Sequence, residues 1–248
     1  MKKIFFGSSF ITLLLVNSGL QAQVSRIDTI AVLILQRMSA TLTDLHTCSF
    51  TVNTSYDLES DELGLVTHSG EERVYMHKPD KLMVAADGDN GRRAFWYNGK
   101  TLSYYAYDKN LYAQIAAPPT ILQTVDAVNK TYGVEFPAAD FFYPSFVDDI
   151  LDTAFNLVYL GMTDIEGKPC FHIAGTTADM SFQFWIHNDE FFLPAKLGIV
   201  YTDKEGTPQY RSIYSDWKLN PELPMSMFEF NAPPKAGKLK LLPKSGNK

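Results

Sequence analysis

The chain has 248 residues, of which 46% are hydrophobic and 13% aromatic, and its formal net charge is −6. This composition excludes a disordered chain and a small disulfide-held peptide, and the length fits one large domain or two small ones. The 28 acidic residues outnumber the 22 basic ones, which leaves no general basic field for nucleic acid or for anionic lipid headgroups. Two cysteines cannot by themselves form a disulfide scaffold or a four-ligand zinc site.

Residues 1–22 have the layout of a secretory signal peptide. Lys2 and Lys3 precede a mostly apolar stretch over 4–16, and small and polar residues end at Ala22. A retained membrane anchor is the alternative, but this apolar stretch is interrupted at 7–9 and is shorter than the roughly 20 residues that span a bilayer. We therefore expect cleavage before Gln23, export to the periplasm, and a product that is not an integral membrane protein.

The compartment changes the interpretation of the two cysteines. In an oxidising periplasm Cys48 and Cys170 could form a disulfide. The alternative is a pair of buried free thiols, which pack as small hydrophobic side chains. Their spacing in the sequence does not decide between the two.

The first half of the exported chain begins with a helix and continues with strands. Ser25, with Asp28 three residues later, predicts a helix start, and the helix extends over about 25–45. Alternation from Cys48 to Tyr56 predicts a strand, which a polar turn over 57–64 ends. Asn98-Gly99 predicts a two-residue hairpin turn in which both residues have positive φ. Further strands are predicted at 66–77, 81–86, 92–97, 101–107 and 110–116.

The second half repeats this order of helix and strand. Thr120 is positioned to cap a second helix, and Ser145 a short third one. Strands are then predicted at 157–163, 169–175, 180–187, 195–202 and 208–219, with a last one around 227–230. Because no repeat, linker or change of composition divides the chain, we expect residues 23–248 to form a single domain.

These elements predict an α+β fold. About ten to eleven antiparallel strands make a sheet that must be covered or must curl on itself. An incomplete, half-open antiparallel β-barrel with helices covering its concave face satisfies both requirements. Such an arrangement leaves an apolar cavity between sheet and helices, which suits acyl chains or other apolar ligands.

Large apolar side chains are the positive signal for this cavity. Ordinary core packing explains many of them, but the segments 101–107 and 180–186 are rich in large side chains on both faces. The candidate lining residues are Phe50, Val52, Trp96, Leu102, Phe182, Phe184 and Ile199 from the sheet and Ile34, Met38, Leu122 and Val125 from the helices.

Motifs for catalysis are missing from the sequence. It has no glycine-rich phosphate loop, nucleophile elbow, His-Glu-x-x-His helix or Cys-x-x-Cys pair. The acids of 57–62 lack the glycine and the late glutamate of a calcium loop, and those of 148–152 fit the start of a helix. His172 shares a strand face with Cys170, so a metal or thiolate role competes with that of a hydrogen-bonded structural histidine. We therefore expect no enzyme activity, no cofactor and no metal.

Several segments resemble a predicted periplasmic family of unknown function. The resemblance covers about 28–240, although Phe171 and Ile173 depart from the family's usual Cys-Asp-His-Leu-Ala pattern. The family is similar in turn to the periplasmic lipoprotein carriers and outer-membrane lipoprotein receptors of the LolA/LolB type. The segments that carry the resemblance are 73–75, 78–82, 95–102, 112–118, 170–174, 184–186, 208–210, Trp217 and 228–233.

This resemblance implies a half-open barrel whose hydrophobic cavity accepts acyl chains. We therefore expect a non-catalytic periplasmic protein that sequesters an apolar ligand, such as a lipid or a lipoprotein acyl chain. The alternative is a structural or interaction module of the cell envelope, whose partner is another protein. Nucleic acid is not an expected partner of either.

Overall fold

The computed structural model describes residues 26–134, 136 and 138–244. The predicted signal peptide and its cleavage point lie outside these residues. In the described part of the chain, no helix is both long and apolar enough to cross a membrane.

The described strands form a single sheet. Its order is β1-β8-β9-β10-β11-β12-β2-β3-β4-β5-β6-β7-β13, with β1 and β13 at the two open edges. The neighbouring strands are antiparallel, except that the two-residue strands β1 and β13 pair in parallel with β8 and β7. The strands are β1 Arg26–Ile27, β2 Thr47–Ser60, β3 Gly64–His77, β4 Lys81–Gly88, β5 Arg93–Tyr97, β6 Thr101–Ala106, β7 Leu111–Ala116, β8 Asn156–Ile165, β9 Lys168–Thr176, β10 Met180–His187, β11 Pro194–Tyr201, β12 Gln209–Leu219 and β13 Gly237–Lys238.

Three α-helices cover the concave face of the sheet. They are α1 Thr29–Asp44, α2 Ile121–Tyr132 and α3 Phe146–Thr153, and two 3-10 helices span Ala139–Phe142 and Met225–Phe228. Helix side chains such as Leu35, Met38 and Val125 share one core with Val52 of β2 and Ile173 of β9. The predicted α+β half-barrel is confirmed: the sheet is open and curved, and eleven of its strands are longer than two residues.

Polar contacts fix the ends of α1. The Asp28 carboxylate accepts a hydrogen bond from the Ile30 amide at 2.9 Å, so Asp28 caps the helix. Lys78 Nζ donates to the carbonyls of Leu42 and Thr43 at 2.8 and 2.9 Å. A cation is favourable at this end of a helix because the last carbonyls have no partner within the helix.

The start of this region differs from the prediction. The predicted helix start at Ser25 lies outside the described residues, and α1 begins at Thr29 instead. Residues 26–27 form β1, in which Arg26 pairs with Asn156 and Ile27 with Leu157. The chain thus joins the edge of the sheet before it turns into the helix.

Two further strand predictions need correction. The polar turn predicted over 57–64 is shorter, because β2 and β3 stay paired from Thr47 and His77 as far as Ser60 and Gly64. The strand predicted around 227–230 is replaced by the second 3-10 helix, and the last strand is β13.

The hairpin predicted at Asn98-Gly99 forms, although its turn differs from the predicted type. Gly99 has φ of 90°, whereas Asn98 is not in the positive-φ region. The Asn98 side-chain oxygen instead accepts hydrogen bonds from the amides of Lys100 and Thr101 at 3.2 and 3.0 Å. A side chain thus supplies the turn contact, as Asn commonly does.

The convex face of β4–β7 is covered by a segment that we call the strap, residues 221–236. The strap begins where Thr47 Oγ1 donates to the Pro221 carbonyl at 2.7 Å. Phe228 within it is fully buried, and Asn110 Nδ2 donates to the Lys235 carbonyl at 3.1 Å near its end. The sheet is therefore covered on both faces along these strands.

Candidate ligand-binding site

A small apolar cavity of about 30 Å³ lies between α2, the first 3-10 helix and the concave face of β2–β4. No polar side chain lines it, and an apolar cavity of this kind stays dry because a water needs polar partners. Its lining residues are Phe50, Val74, Met76, Leu82, Val84, Ile121, Leu122, Val125, Phe136, Ala139 and Phe142.

Strand alternation builds the floor of the cavity. Phe50 of β2 is paired with Val74 of β3, which is paired in turn with Val84 of β4. Met76 and Leu82 form the next row on the same face. Successive side chains in a strand point to opposite faces, so residues two apart share the floor.

Helix α2 forms the roof. Its apolar residues Ile121, Leu122 and Val125 fall on one side of the helix at steps of one, three and four. Thr120 starts the helix as predicted, since its hydroxyl accepts a hydrogen bond from the Gln123 amide at 3.3 Å. Gly133 ends it with φ of 69°, in the left-handed region that glycine adopts without strain.

Aromatic rings close the sides. Phe142 stacks on Phe50 with ring centroids 6.1 Å apart. Phe136 meets Phe95 edge-to-face at 5.3 Å. Phe136 is half-buried, so this side of the cavity lies near the surface, in the segment that follows α2.

A few polar contacts hold α2 in place. The Ile121 amide donates to the Pro79 carbonyl at 2.8 Å. Thr124 Oγ1 donates to the Pro118 carbonyl at 3.2 Å, and the Tyr143 hydroxyl donates to the carboxylate of Asp126 at 2.6 Å. The last of these joins α2 to the segment after the first 3-10 helix.

Three of the eleven residues predicted to line a cavity lie in this lining, namely Phe50, Leu122 and Val125. Seven others are packed in or against the surrounding core, with Leu102, Phe182 and Phe184 contributed by β6 and β10. They are Ile34, Met38, Val52, Leu102, Phe182, Phe184 and Ile199. Ten of the eleven predicted residues therefore lie between the sheet and the helices. Three of them line the cavity, and the other seven are packed in or against the surrounding core.

Trp96 is the exception, because it lies on the convex face. Its neighbours Phe95 and Tyr97 belong to the concave-face core, so alternation directs Trp96 to the other side. There its ring lies 5.0 Å from that of Phe230 in the strap. Trp96 is therefore a contact of the strap and does not line the cavity.

The sequence-based prediction missed eight lining residues. Alternation in β3 and β4 could have identified Val74, Met76, Leu82 and Val84, which are as regular as the residues predicted in β2. No local pattern marks Phe136, Ala139 and Phe142, since they lie in an irregular segment that the fold brings to the cavity. Ile121 begins α2 and directly precedes Leu122, which was among the residues predicted to line the cavity.

Both cysteines are free, buried thiols. Cys48 is in β2 and Cys170 in β9, and the order β9-β10-β11-β12-β2 places three strands between them. Burial raises the pKa of the Cys48 thiol to about 12 and that of Cys170 to about 11. The disulfide that the sequence left open is not formed, and neither thiol has the low pKa of a nucleophile.

His172 has the contacts of a structural histidine. Its Nε2 is 2.9 Å from the Gln183 side-chain oxygen, and its ring stacks on that of Trp185 at 4.5 Å. The thiol of Cys170 is instead 3.5 Å from Nδ1 of His187, whose pKa is lowered by burial. Among the described residues no group of three or more His, Cys, Asp or Glu side chains is placed to hold a metal ion.

The acidic clusters are exposed. Asp148, Asp149 and Asp152 lie on the outer side of α3, where Asp149 accepts a hydrogen bond from Ser145 Oγ at 2.8 Å. Asp57 accepts from Thr67 Oγ1 across the β2–β3 pair at 2.6 Å, and this bond lowers its pKa. One acid in each cluster, Asp149 and Asp57, therefore has a local structural partner.

A polar recess of about 290 Å³ lies at the ends of β9–β12. Its charged lining residues include Glu166, Lys168, Asp189 and Asp216, all of them exposed. Their charges are of both signs and face water, which leaves the apolar cavity as the candidate for ligand binding.

The described residues form an open half-barrel covered by helices, and the chain is similar to several solved structures at low sequence identity. An uncharacterized conserved protein from Thermus thermophilus is 14% identical, with 85% of this chain and 98% of that chain covered and a TM-score of 0.48. LprF from Mycobacterium bovis is 13% identical, with coverage of 85% and 99% and a TM-score of 0.47. A LolA superfamily protein from Nitrosomonas europaea is 11% identical, with coverage of 81% and 97% and a TM-score of 0.37. Identities this low concern the fold alone.

The family assignment is more specific. Residues 31–242 match the family described as predicted periplasmic protein (DUF2092), so the chain belongs to that family. This confirms both the resemblance noted in the sequence and the expected periplasmic location. A comparison with curated protein sequences finds no match.

Proposed function

We propose that this protein is a non-catalytic periplasmic binding protein. Its ligand is apolar, a lipid or a lipoprotein acyl chain, and it binds between α2 and the concave face of the sheet. The observation that supports this most directly is the wholly apolar lining of the cavity beneath α2. Each methylene moved from water into such a lining contributes about 0.8 kcal/mol.

The size of the cavity sets a condition on binding. About 30 Å³ is far below the roughly 300–1,000 Å³ of ordinary ligand sites. An acyl chain therefore enters only when α2 and the segment around Phe136 move away from the sheet.

Residues 1–22 and the rest of the chain have separate roles in this proposal. The first 22 residues direct export and are removed before Gln23, and residues 23–248 form the single binding domain. The amino-terminal sequence of protein purified from the periplasm tests the cleavage point.

The binding proposal is tested on protein exported to the periplasm and purified without detergent. We expect native mass spectrometry to detect a bound lipid that organic extraction releases, and we expect the extracted protein to take up a fluorescent fatty acid. Ala139→Leu places a larger side chain in the cavity and should weaken uptake by about tenfold or more, in line with overpacking costs of about 1–3 kcal/mol. Ala40→Leu, on the exposed side of α1, is the matched control.

Two results would contradict the proposal. One is the absence of both co-purified lipid and fatty-acid uptake in the wild-type protein. The other is equal uptake by the wild type and Ala139→Leu, which would place the ligand elsewhere.

The second candidate is an envelope interaction module without a small ligand. The small volume of the cavity favours it. So does the part of β8 beyond Leu157, which β1 does not pair with and in which Leu160 and Met162 are 55% and 49% exposed. Exposed apolar residues on a strand edge can bind a partner strand. This candidate predicts that Leu160→Asp abolishes cross-linking to an envelope protein, whereas Ala139→Leu has no effect on it.

A further inference from the structure

The segment 235–244 differs in charge from the rest of this acidic protein. It contains Lys235, Lys238, Lys240 and Lys244 and no acidic residue, while the whole chain carries −6. All four lysines are exposed. Within the described ranges none of the four has an ion-pair partner. We call residues 235–244 the lysine segment.

Backbone hydrogen bonds hold the lysine segment against the protein. The Gly237 amide donates to the Asn110 carbonyl at 3.0 Å and the Leu239 amide to the Tyr112 carbonyl at 2.7 Å. Further on, the Lys244 amide donates to the Thr131 carbonyl at 2.8 Å. The segment therefore runs from the β7 edge of the sheet to the last turn of α2. The side chains of Lys235, Lys238 and Lys240 are exposed, and that of Lys244 lies over Gly133 at the end of α2.

The surroundings add to the positive charge. Lys109 and Lys130 are exposed beside the residues that hold the segment. The nearby carboxylates already have partners. Asp108 forms an ion pair with Arg92 at 3.4 Å, and the carboxylate of Asp126 accepts a hydrogen bond from the Tyr143 hydroxyl. With Lys109 and Lys130 this side of the protein presents six exposed lysines, and none of the ion pairs in the described part of the chain involves any of them.

Apolar side chains alternate with these lysines. Leu242 is 75% exposed and Leu239 is 40% exposed. Exposed leucines between lysines match the two parts of a lipid surface, because the ammonium groups meet phosphates while the leucines enter the acyl boundary. A protein partner with an acidic surface would not require the leucines.

The lysine segment also lies next to the cavity. Thr131, which accepts its last hydrogen bond, is two residues before Gly133 at the end of α2, and Phe136 in the lining follows shortly after. A partner bound to the lysine segment would therefore be next to the end of α2 and Phe136, where the cavity must open.

We infer that the lysine segment docks this protein on an anionic lipid bilayer, so that the opening beside α2 and Phe136 faces the source of its ligand. The inference rests on the proposed function and names the partner from which the ligand is taken or to which it is delivered. The composition argues against a general basic field, and this segment is a local exception to it.

The test uses protein purified from the periplasm and two kinds of vesicle. One kind contains phosphatidylcholine alone, and the other contains equal parts of phosphatidylcholine and phosphatidylglycerol. We expect co-sedimentation with the anionic vesicles only, and weaker binding at high salt because salt screens the charges.

Matched variants locate the contact. The triple change Lys238→Gln, Lys240→Gln and Lys244→Gln should weaken binding to anionic vesicles by roughly 100-fold, since each lysine near such a surface contributes about 1 kcal/mol. The control triple Lys168→Gln, Lys204→Gln and Lys218→Gln changes the net charge equally at exposed sites elsewhere and should leave binding near the wild-type value. Leu242→Ser should weaken binding without changing its dependence on salt.

The outcomes separate this inference from the binding proposal. Fatty-acid uptake from solution should be the same in the wild type and the lysine-segment triple variant, while transfer from anionic vesicles should be lost only in that variant. Vesicle binding without uptake from solution would contradict the proposed ligand but not the docking. No binding to anionic vesicles, equal loss in both triple variants, or binding only to an acidic polypeptide such as polyglutamate would overturn the docking.

Discussion

Burial determines the chemistry of single side chains in this protein. The Cys48 thiol is 1% exposed and the Cys170 thiol is fully buried. Removing a thiolate from water is costly, so burial raises both pKa values and keeps the thiols protonated at neutral pH. Glu72 follows the same rule: it is 8% exposed, and burial raises its pKa although Thr54 Oγ1 lies 3.4 Å from its carboxylate.

The two thiols should resist alkylation in the folded protein. The thiolate is the reactive form, and a pKa of about 11 against an ordinary 9.0 makes it about 100-fold rarer for Cys170, before any effect of access. We expect iodoacetamide at pH 8 to label neither residue in the native protein and both in urea without reductant. The measurement is intact mass with and without urea. Unlabelled protein in urea that becomes labelled only after reduction would reveal a disulfide and contradict the free thiols.

At the scale of single elements, α1 and α2 differ in how firmly they are held. Both ends of α1 have side-chain partners, Asp28 at its start and Lys78 at its end, and six of its residues are buried. Helix α2 buries four residues and borders the cavity, so less packing opposes its movement. Of the two, α2 is therefore the element suited to open.

The bond between Tyr143 and Asp126 should control this opening. Tyr143→Phe removes the hydroxyl that donates to α2 at 2.6 Å while leaving the ring in place. We expect faster hydrogen exchange of the α2 amides and faster fatty-acid uptake, because a bond to a carboxylate contributes about 1.5–3 kcal/mol to the closed state. Tyr132→Phe, in α2 itself, is the control, since its hydroxyl has no hydrogen bond in the described part of the chain. Unchanged exchange in Tyr143→Phe would show that the bond does not hold α2.

Regular elements were predictable from the sequence, and irregular ones were not. The stripe of α1, the Thr120 cap and the alternation in β2 follow from periods of 3.6 and 2 that act locally. β1 and β13 are two-residue pairs whose partners lie far away in the chain, so no local pattern marks them. The run Phe95-Trp96-Tyr97 has large side chains on both faces, and alternation alone cannot say which face lies toward the helices. The position of the cavity between sheet and helices was predicted. Its aromatic lining residues in 136–142 were not, because tertiary packing brings that irregular segment to the cavity.

At the scale of the whole molecule, two separate coverings shape the sheet. The helices fill the concave face, and the strap covers the convex face of β4–β7. Phe228 anchors the strap as a fully buried side chain outside the main core, and Phe230 packs on Trp96 and Tyr105. Of the three strands that form the cavity floor, β4 is the one that the strap covers from behind, so movement of α2 would not expose both faces of that strand.

Phe228→Ala should therefore lower the stability of the protein, although Phe228 lies on the face of the sheet opposite to the proposed ligand site. Truncating a fully buried phenylalanine leaves a void and costs about 3–5 kcal/mol, a large share of the stability of a typical domain. We expect a lower urea midpoint and protease cleavage within 221–236, whereas Phe191→Ala, which truncates a side chain that is 42% exposed, should change the midpoint little. Because the lysine segment continues directly from the strap, Phe228→Ala should also weaken binding to anionic vesicles under conditions in which the sheet remains folded. A variant that keeps the wild-type midpoint and resists protease would show that the strap is held by its ends alone.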